Sequence, residues 1–231
     1  MRHRFMVLAT ALTTVAAIAT WSGIAAGAQG SSRAKVGKHP TLSAHIKRHA
    51  GTAVHPTNLK LLYSQYGGID SILSTQDFET AFSPYDSEIA DDFTVPAGQT
   101  WKVQLLDVNG QENGGPVGDA SVSFYADAGG PYGGVIAIRR SHKITDSAGA
   151  LSIKFSAVTL GPGTYWVGVH GDKDYVFNGQ WWAAVQNTVT GSMAYWENPG
   201  NGFGSGCTSL QPVSCVGYNG DMSFDLQGHL G

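Results

Sequence analysis

Leu160-Gly-Pro-Gly-Thr-Tyr-Trp-Val-Gly-Val-His170 is the most strand-like run in the chain. A Gly-Pro-Gly turn opens it and Gly171-Asp172 closes it. Side chains alternate across a strand, so Tyr165, Val167 and Val169 point one way and Trp166, Gly168 and His170 the other. Aromatic and β-branched residues fit a pleated, packed surface. The stretch therefore reads as a central strand of an antiparallel β-sandwich.

Working outward, similar runs recur with turn signals every 8 to 12 residues. Leu59–Tyr63, Ser87–Val95, Thr100–Val108, Ser121–Ala126, Val135–Arg140 and Ala150–Phe155 precede the stretch. Trp181–Val185, Ser192–Trp196 and Met222–Leu226 follow it. In Ser87–Val95, Ile89, Asp91, Phe93 and Val95 share a face; in Thr100–Val108, Trp101, Val103 and Leu105 do. Residues 66–85 and 109–118 read as loops, the former with one short helical turn around 76–81. The sum is an all-β chain: a single antiparallel β-sandwich, jelly-roll-like, of about ten strands over residues 58–231.

The first 28 residues have the layout of a secretory signal peptide. Met1-Arg2-His3-Arg4 is basic, an Ala-rich apolar stretch follows, and Ala26-Gly27-Ala28 supplies a small-residue exit. The expectation is a secreted protein with no membrane span after cleavage. Residues 29–69 then carry six Lys/Arg and no acid, whereas all seventeen acidic residues lie at Asp70 or later. Residues 29–57 read as a basic, disordered linker, low in large apolar groups. The alternative is an arm that meets an anionic surface or the domain's own acidic face. No nucleic-acid partner is expected of so acidic a domain. Cys207 and Cys215 are the only cysteines, and in an exported chain such a pair reads as a disulfide.

Four segments together resemble a widespread group of secreted bacterial β-sandwich modules: Ile89-Ala-Asp-Asp-Phe93, Phe124-Tyr-Ala-Asp-Ala-Gly-Gly-Pro131, Gly161-Pro-Gly-Thr-Tyr-Trp-Val167 and Asp221-Met-Ser-Phe-Asp-Leu226. The resemblance covers roughly residues 59–231. It implies a jelly-roll-like fold and export, with no established reaction and no catalytic residue to carry over.

Chemistry has three candidate locations. Asp86, Glu88, Asp91 and Asp92 cluster around one strand, Asp221 and Asp225 lie at the last, and Asp172 and Asp174 stand two apart in a Gly-flanked loop. Oxygen-rich sets of this kind suit a structural calcium ion, although no full D-x-D-x-D-G loop is present. Solvated acids and strand caps are the plain alternative. The second location is aromatic: Trp166, Trp181, Trp182, Tyr195 and Trp196 concentrate in one third of the chain. With His170 and nearby Asp, Asn and Gln, exposed rings would stack on sugars; otherwise the rings build core. Adjacent Trp181-Trp182 face opposite sides of a strand, so one is expected inside and the other outside. The third is catalysis, for which no G-x-S-x-G, H-E-x-x-H or phosphate loop is present. The expectation is a non-catalytic protein, without a cofactor beyond calcium, that binds extracellular or cell-surface polysaccharide. A structural or adhesive envelope protein and a small glycan-active hydrolase or lyase are the alternatives.

Overall fold

The computed structural model describes residues 37–46 and 58–231, all within the compact unit Arg33–Gly231. The expected signal peptide, and arm residues 29–36 and 47–57, lie outside the described residues.

Sixteen strands run through the described residues. The first are β1 (Lys60–Ser64), β2 (Ser71–Ser74), β3 (Gln76–Asp77), β4 (Glu88–Val95), β5 (Trp101–Val108) and β6 (Gly110–Glu112). Next come β7 (Asp119–Ala126), β8 (Val135–Ser141), β9 (Ile144–Ser147), β10 (Ala150–Leu160) and β11 (Gly163–Asp172). After the single turn of α1 (Tyr175–Asn178) follow β12 (Trp181–Gln186), β13 (Tyr195–Glu197), β14 (Gln211–Pro212), β15 (Asp221–Met222) and β16 (Phe224–Leu230). All ten expected strands are present. Five more (β2, β3, β6, β9, β14) are too short to carry a periodic signal, and the last expected strand divides into β15 and β16.

The strands form an all-β, antiparallel sandwich. One sheet has the order β1-β16-β5-β10-β9, and the other β14-β13-β4-β11-β7-β8. A small third sheet, β15-β12-β2 with β6 also on β12, adds Leu73, Trp181, Ala183, Val185 and Met222 to the core. The exception to antiparallel pairing is β3, which runs parallel to the end of β11. The opening stretch is the central strand β11, held by β4 on one side and β7 on the other. Its Val167 and Val169 enter the core with Ile89, Phe93, Val122 and Phe124. The facing sheet contributes Trp101, Val103, Leu106, Leu151, Ile153, Phe224 and Leu226.

Two local features depart from simple alternation. Leu105 does not share the core face of Trp101 and Val103; Leu106 and Val108 do. Gln104 is the extra residue: Leu105 pairs Gln227 while Val103 pairs Gly228, so a bulge moves the inward face by one position. At the tip of β9–β10, Ala148 and Gly149 have φ of 57° and 97°. Those values suit the two-residue hairpin turn whose twist matches the strands.

Residues 37–46 lie against the domain, in contrast to the disorder expected of them. Thr41 N–H donates to Gln180 Oε1 at 2.9 Å, and Gln180 Nε2 donates back to Thr41 O at 2.8 Å. Ser74 N–H donates to Leu42 O at 2.8 Å. The segment makes these hydrogen bonds through its backbone groups, which its low side-chain hydrophobicity does not reveal, and Leu42 packs against the core. The Cys207–Cys215 disulfide is formed. It closes a nine-residue loop worth about 2.6 kcal/mol in the chain-entropy account. Among the described residues, no helix is long and apolar enough to cross a membrane.

Candidate functional site

The face of β11 turned away from the core carries the chemistry. His170 and Asp172 are two positions apart, so they share that face. Strand register then brings partners from five other strands. Asp172 stands opposite Asp119 of β7 and beside Asp77 of β3. His170 stands opposite Ser121, which pairs Arg140 of β8. Glu88 of β4 lies one step beyond the Ile89–Val169 pair and opposite Glu197 of β13.

Contacts bind these groups into one network. His170 Nδ1 is 3.3 Å from Glu88 Oε2, and His170 Nε2 is 3.5 Å from Asp172 Oδ1. Tyr125 donates its hydroxyl to Glu88 Oε1 at 2.6 Å. Arg140 Nε is 3.3 Å from Asp172 Oδ2, and His142 Nδ1 contacts Asp119 Oδ1. Behind the cluster, Lys173 is buried with its Nζ 3.3 Å from Glu112 Oε2 and 3.3 Å from Asn113 O.

Burial and charge shape the titration of these groups. Burial draws the His170 pKa down, but the hydrogen bond and charge of Glu88, with the charges of Asp172 and Asp77, outweigh it and leave it raised. Burial raises Asp172, against the pull of His170 and Arg140. Glu197 is raised by burial and by the like charge of Glu88. Asp86 is pushed up to about 6, mainly by burial. Burial lifts Glu112 to about 7 despite Lys173, and lowers Lys173 itself.

Two clefts meet at this cluster. The larger, about 510 Å³, has Asp77, Asp119, Arg140, Asp172, Asp174 and Asn178 in its walls. The smaller, about 220 Å³, is lined by Asp77, Asp86, Glu88, His170 and Glu197 among others. Asp77 is shared by both.

Of the acids expected to share a calcium ion, the fold keeps some apart. Glu88 and Asp172 meet through His170, Asp86 lines the smaller cleft, and Asp174 lines the larger. Asp91 turns to the opposite side of β4 from Glu88. It is fully buried, accepting hydrogen bonds from Gln65 Nε2 at 2.7 Å and Met222 N–H at 2.6 Å. Asp225 belongs to the other sheet, opposite Asp107. Asp86, Glu88, Asp91 and Asp225 therefore do not form one ligand set, because strand alternation and sheet assignment outrank closeness in the chain, whereas Asp172 and Asp174 both line the larger cleft.

The aromatic platform is not there. Trp166, Trp181, Trp182 and Trp196 are all at most 1% exposed, so none presents a ring face to a sugar. Each indole N–H already has an acceptor. Trp166 donates to Asp127 Oδ1, Trp181 to Gly149 O, Trp182 to Thr41 O and Trp196 to Ser74 O, at 2.7–3.0 Å. Trp182, expected to face outward if Trp181 faced inward, is bonded to the segment 37–46 instead. Tyr195 is half-buried, its ring packed edge-on to Trp166 with centroids 4.7 Å apart.

Comparison with known proteins adds no identity: no family model matches the chain, and no curated protein matches it. The site rests on its own geometry. Asp77, Asp119 and Arg140 are its unforeseen members. The first sits in a segment read as loop, and the other two depend on register between strands far apart in sequence.

Gly168 gives a direct handle on the cluster. A Cβ at this position would lie 2.0 Å from Glu88 Oε1 and 2.9 Å from its Cδ. Glu88 can cross the strand only because Gly168 has no side chain. Gly168→Ala is expected to displace the carboxylate, break its bonds to Tyr125 and His170, and cost about 1–3 kcal/mol as overpacking. Thermal melts give the cost, and the His170 ring signals in an NMR spectrum report the lost contact. Unchanged ring signals would contradict the arrangement.

Proposed function

We propose that this is an exported, non-catalytic β-sandwich protein that binds a neutral or amino-bearing glycan in the larger cleft. The observation that carries this is the polar convergence of Asp77, Asp119, Arg140, Asp172, Asp174 and Asn178 on one cleft. Its volume of about 510 Å³ falls in the range of roughly 300–1,000 Å³ usual for ligand sites. Carboxylates accept hydrogen bonds from sugar hydroxyls, while Arg140 and Asn178 donate to them. The excess of carboxylates disfavours anionic polymers by repulsion and suits an amino sugar. Binding here is by hydrogen bonds along the cleft, since the tryptophans offer no stacking face.

The test is retention on insoluble chitin and cellulose, against an anionic polymer such as alginate. The native chain is expected to stay on a neutral or amino-bearing polymer and pass over alginate. The double variant Asp172→Asn, Arg140→Ala should lose at least tenfold in affinity without a change of fold. Failure of the native chain to stay on any neutral or amino-bearing polymer would remove the reading.

A second reading, hydrolysis, is favoured by one observation. In the smaller cleft Asp86, held up to about 6, lies near Glu88 and Glu197. A carboxyl whose pKa burial raises, set in a cleft with other carboxyls, is the kind of arrangement glycoside hydrolysis uses. Release of reducing ends by the native chain, abolished in Asp86→Asn, would replace the binding reading with this one.

A further inference from the structure

We propose that Asp77, His170 and Asp172 form a binding site for a divalent transition-metal ion of the zinc type. One ligand atom from each lies within 4.8 Å of the other two. Zinc bonds of about 2.0–2.2 Å in a tetrahedral site set neighbouring donors roughly 3.4 Å apart. His170 Nε2 and Asp172 Oδ1 are already 3.5 Å apart.

A second observation points to a cation at this place. Asp172 Oδ1 is buried and has no hydrogen-bond partner among the described residues. Its approach to His170 Nε2 is therefore a close contact without hydrogen-bond geometry. A buried carboxylate oxygen left in this state is costly, and an ion between oxygen and nitrogen removes the cost.

The surrounding groups act as supports for such a site. His170 Nδ1 faces Glu88 Oε2 at 3.3 Å, and Glu88 is held in turn by the Tyr125 hydroxyl at 2.6 Å. A carboxylate on the far nitrogen fixes the ring and directs Nε2 at a metal. Arg140 holds the other oxygen of Asp172 at 3.3 Å, leaving Oδ1 for the ion. All three ligands stand on paired strands, His170 and Asp172 on one face of β11 and Asp77 on the parallel β3. The backbone thus sets their spacing before any ion arrives.

The donor set also selects the ion. An imidazole with two carboxylates suits first-row transition metals. Calcium prefers six to eight oxygens and is expected to bind weakly at a three-donor site containing nitrogen. The inference does not depend on the glycan reading, because its test uses no glycan.

The full chain, stripped of metal by chelator and dialysis, is titrated with zinc chloride by calorimetry. One saturable site per chain is expected. His170→Gln and Asp77→Asn should each weaken it at least tenfold, and Glu88→Gln by about 10- to 100-fold. Absence of saturable binding, or unchanged affinity in His170→Gln, would overturn the site. Manganese added to the unsubstituted chain gives the same answer without a variant. Broadening of amide NMR signals centred on Asp77, His170 and Asp172 supports the site, and broadening centred elsewhere overturns it.

Discussion

Trp166→Ala is expected to lose about 3–5 kcal/mol of folding stability, the usual cost of removing a fully buried large aromatic. Trp166 is 0% exposed at the outer face of β11, packed with Ala90, Leu210, Tyr125 and Tyr195. Two effects combine: a cavity under the Tyr195 ring, and loss of the 2.8 Å bond from the indole N–H to Asp127. That bond is the main reason the Asp127 pKa is lowered. The variant should therefore also raise the Asp127 pKa toward the ordinary carboxylate value. Chemical denaturation measures the first effect and a carboxyl NMR titration the second. A loss below about 1 kcal/mol would mean that Trp166 is exposed, as the stacking-platform expectation required.

The pH dependence of stability should run toward acid. Asp221 is buried and held at about 6, chiefly by burial with a contribution from the charge of Asp92. Asp91, buried beside it, is raised by burial and by Asp221. A raised carboxyl binds its proton more tightly in the folded chain than in the unfolded one. Its contribution is fully present below about pH 4 and is lost as pH rises through about 6. For Asp221 alone the loss between pH 5 and pH 8 is on the order of 1–2 kcal/mol; Asp91 and Glu112 act in the same direction. The melting temperature should thus be higher at pH 5 than at pH 8. Asp221→Asn should flatten the dependence, since it removes the charge that faces Asp91 and can still accept the Thr190 N–H bond now made to Asp221 Oδ2. A melting temperature that rises from pH 5 to pH 8 would contradict the burial of these acids.

Much of the architecture was legible in the sequence because the long strands carry a period of two. The two faces of β11 and the inward row Ile89, Asp91, Phe93 and Val95 follow from alternation alone. What alternation does not carry is the order of strands. Asp77 reaches Asp172 through a parallel pairing of two residues, and Arg140 reaches it across β7. Neither pairing leaves a local mark. The aromatic density misled for a related reason. Trp181 and Trp182 do point to opposite sides of β12, but a second layer, built partly from residues 37–46, covers the side that a lone sheet would expose. The site was visible in part, at His170 and Asp172, where two polar residues end the strand, and at Glu88, Asp86 and Asp174, which stood out as acids.

The glycan reading places the contacts on the strands around the end of β11 and none on the tryptophan-rich strands. Amide and side-chain NMR shifts of the labelled chain, titrated with chitotetraose and with cellotetraose, map those contacts residue by residue. The prediction is that shifts centre on Asp77, Asp119, Arg140, Asp172 and Asn178, with the indole signals of Trp181 and Trp196 unmoved. Shifts centred on residues 181–196, or none with either sugar, would contradict it.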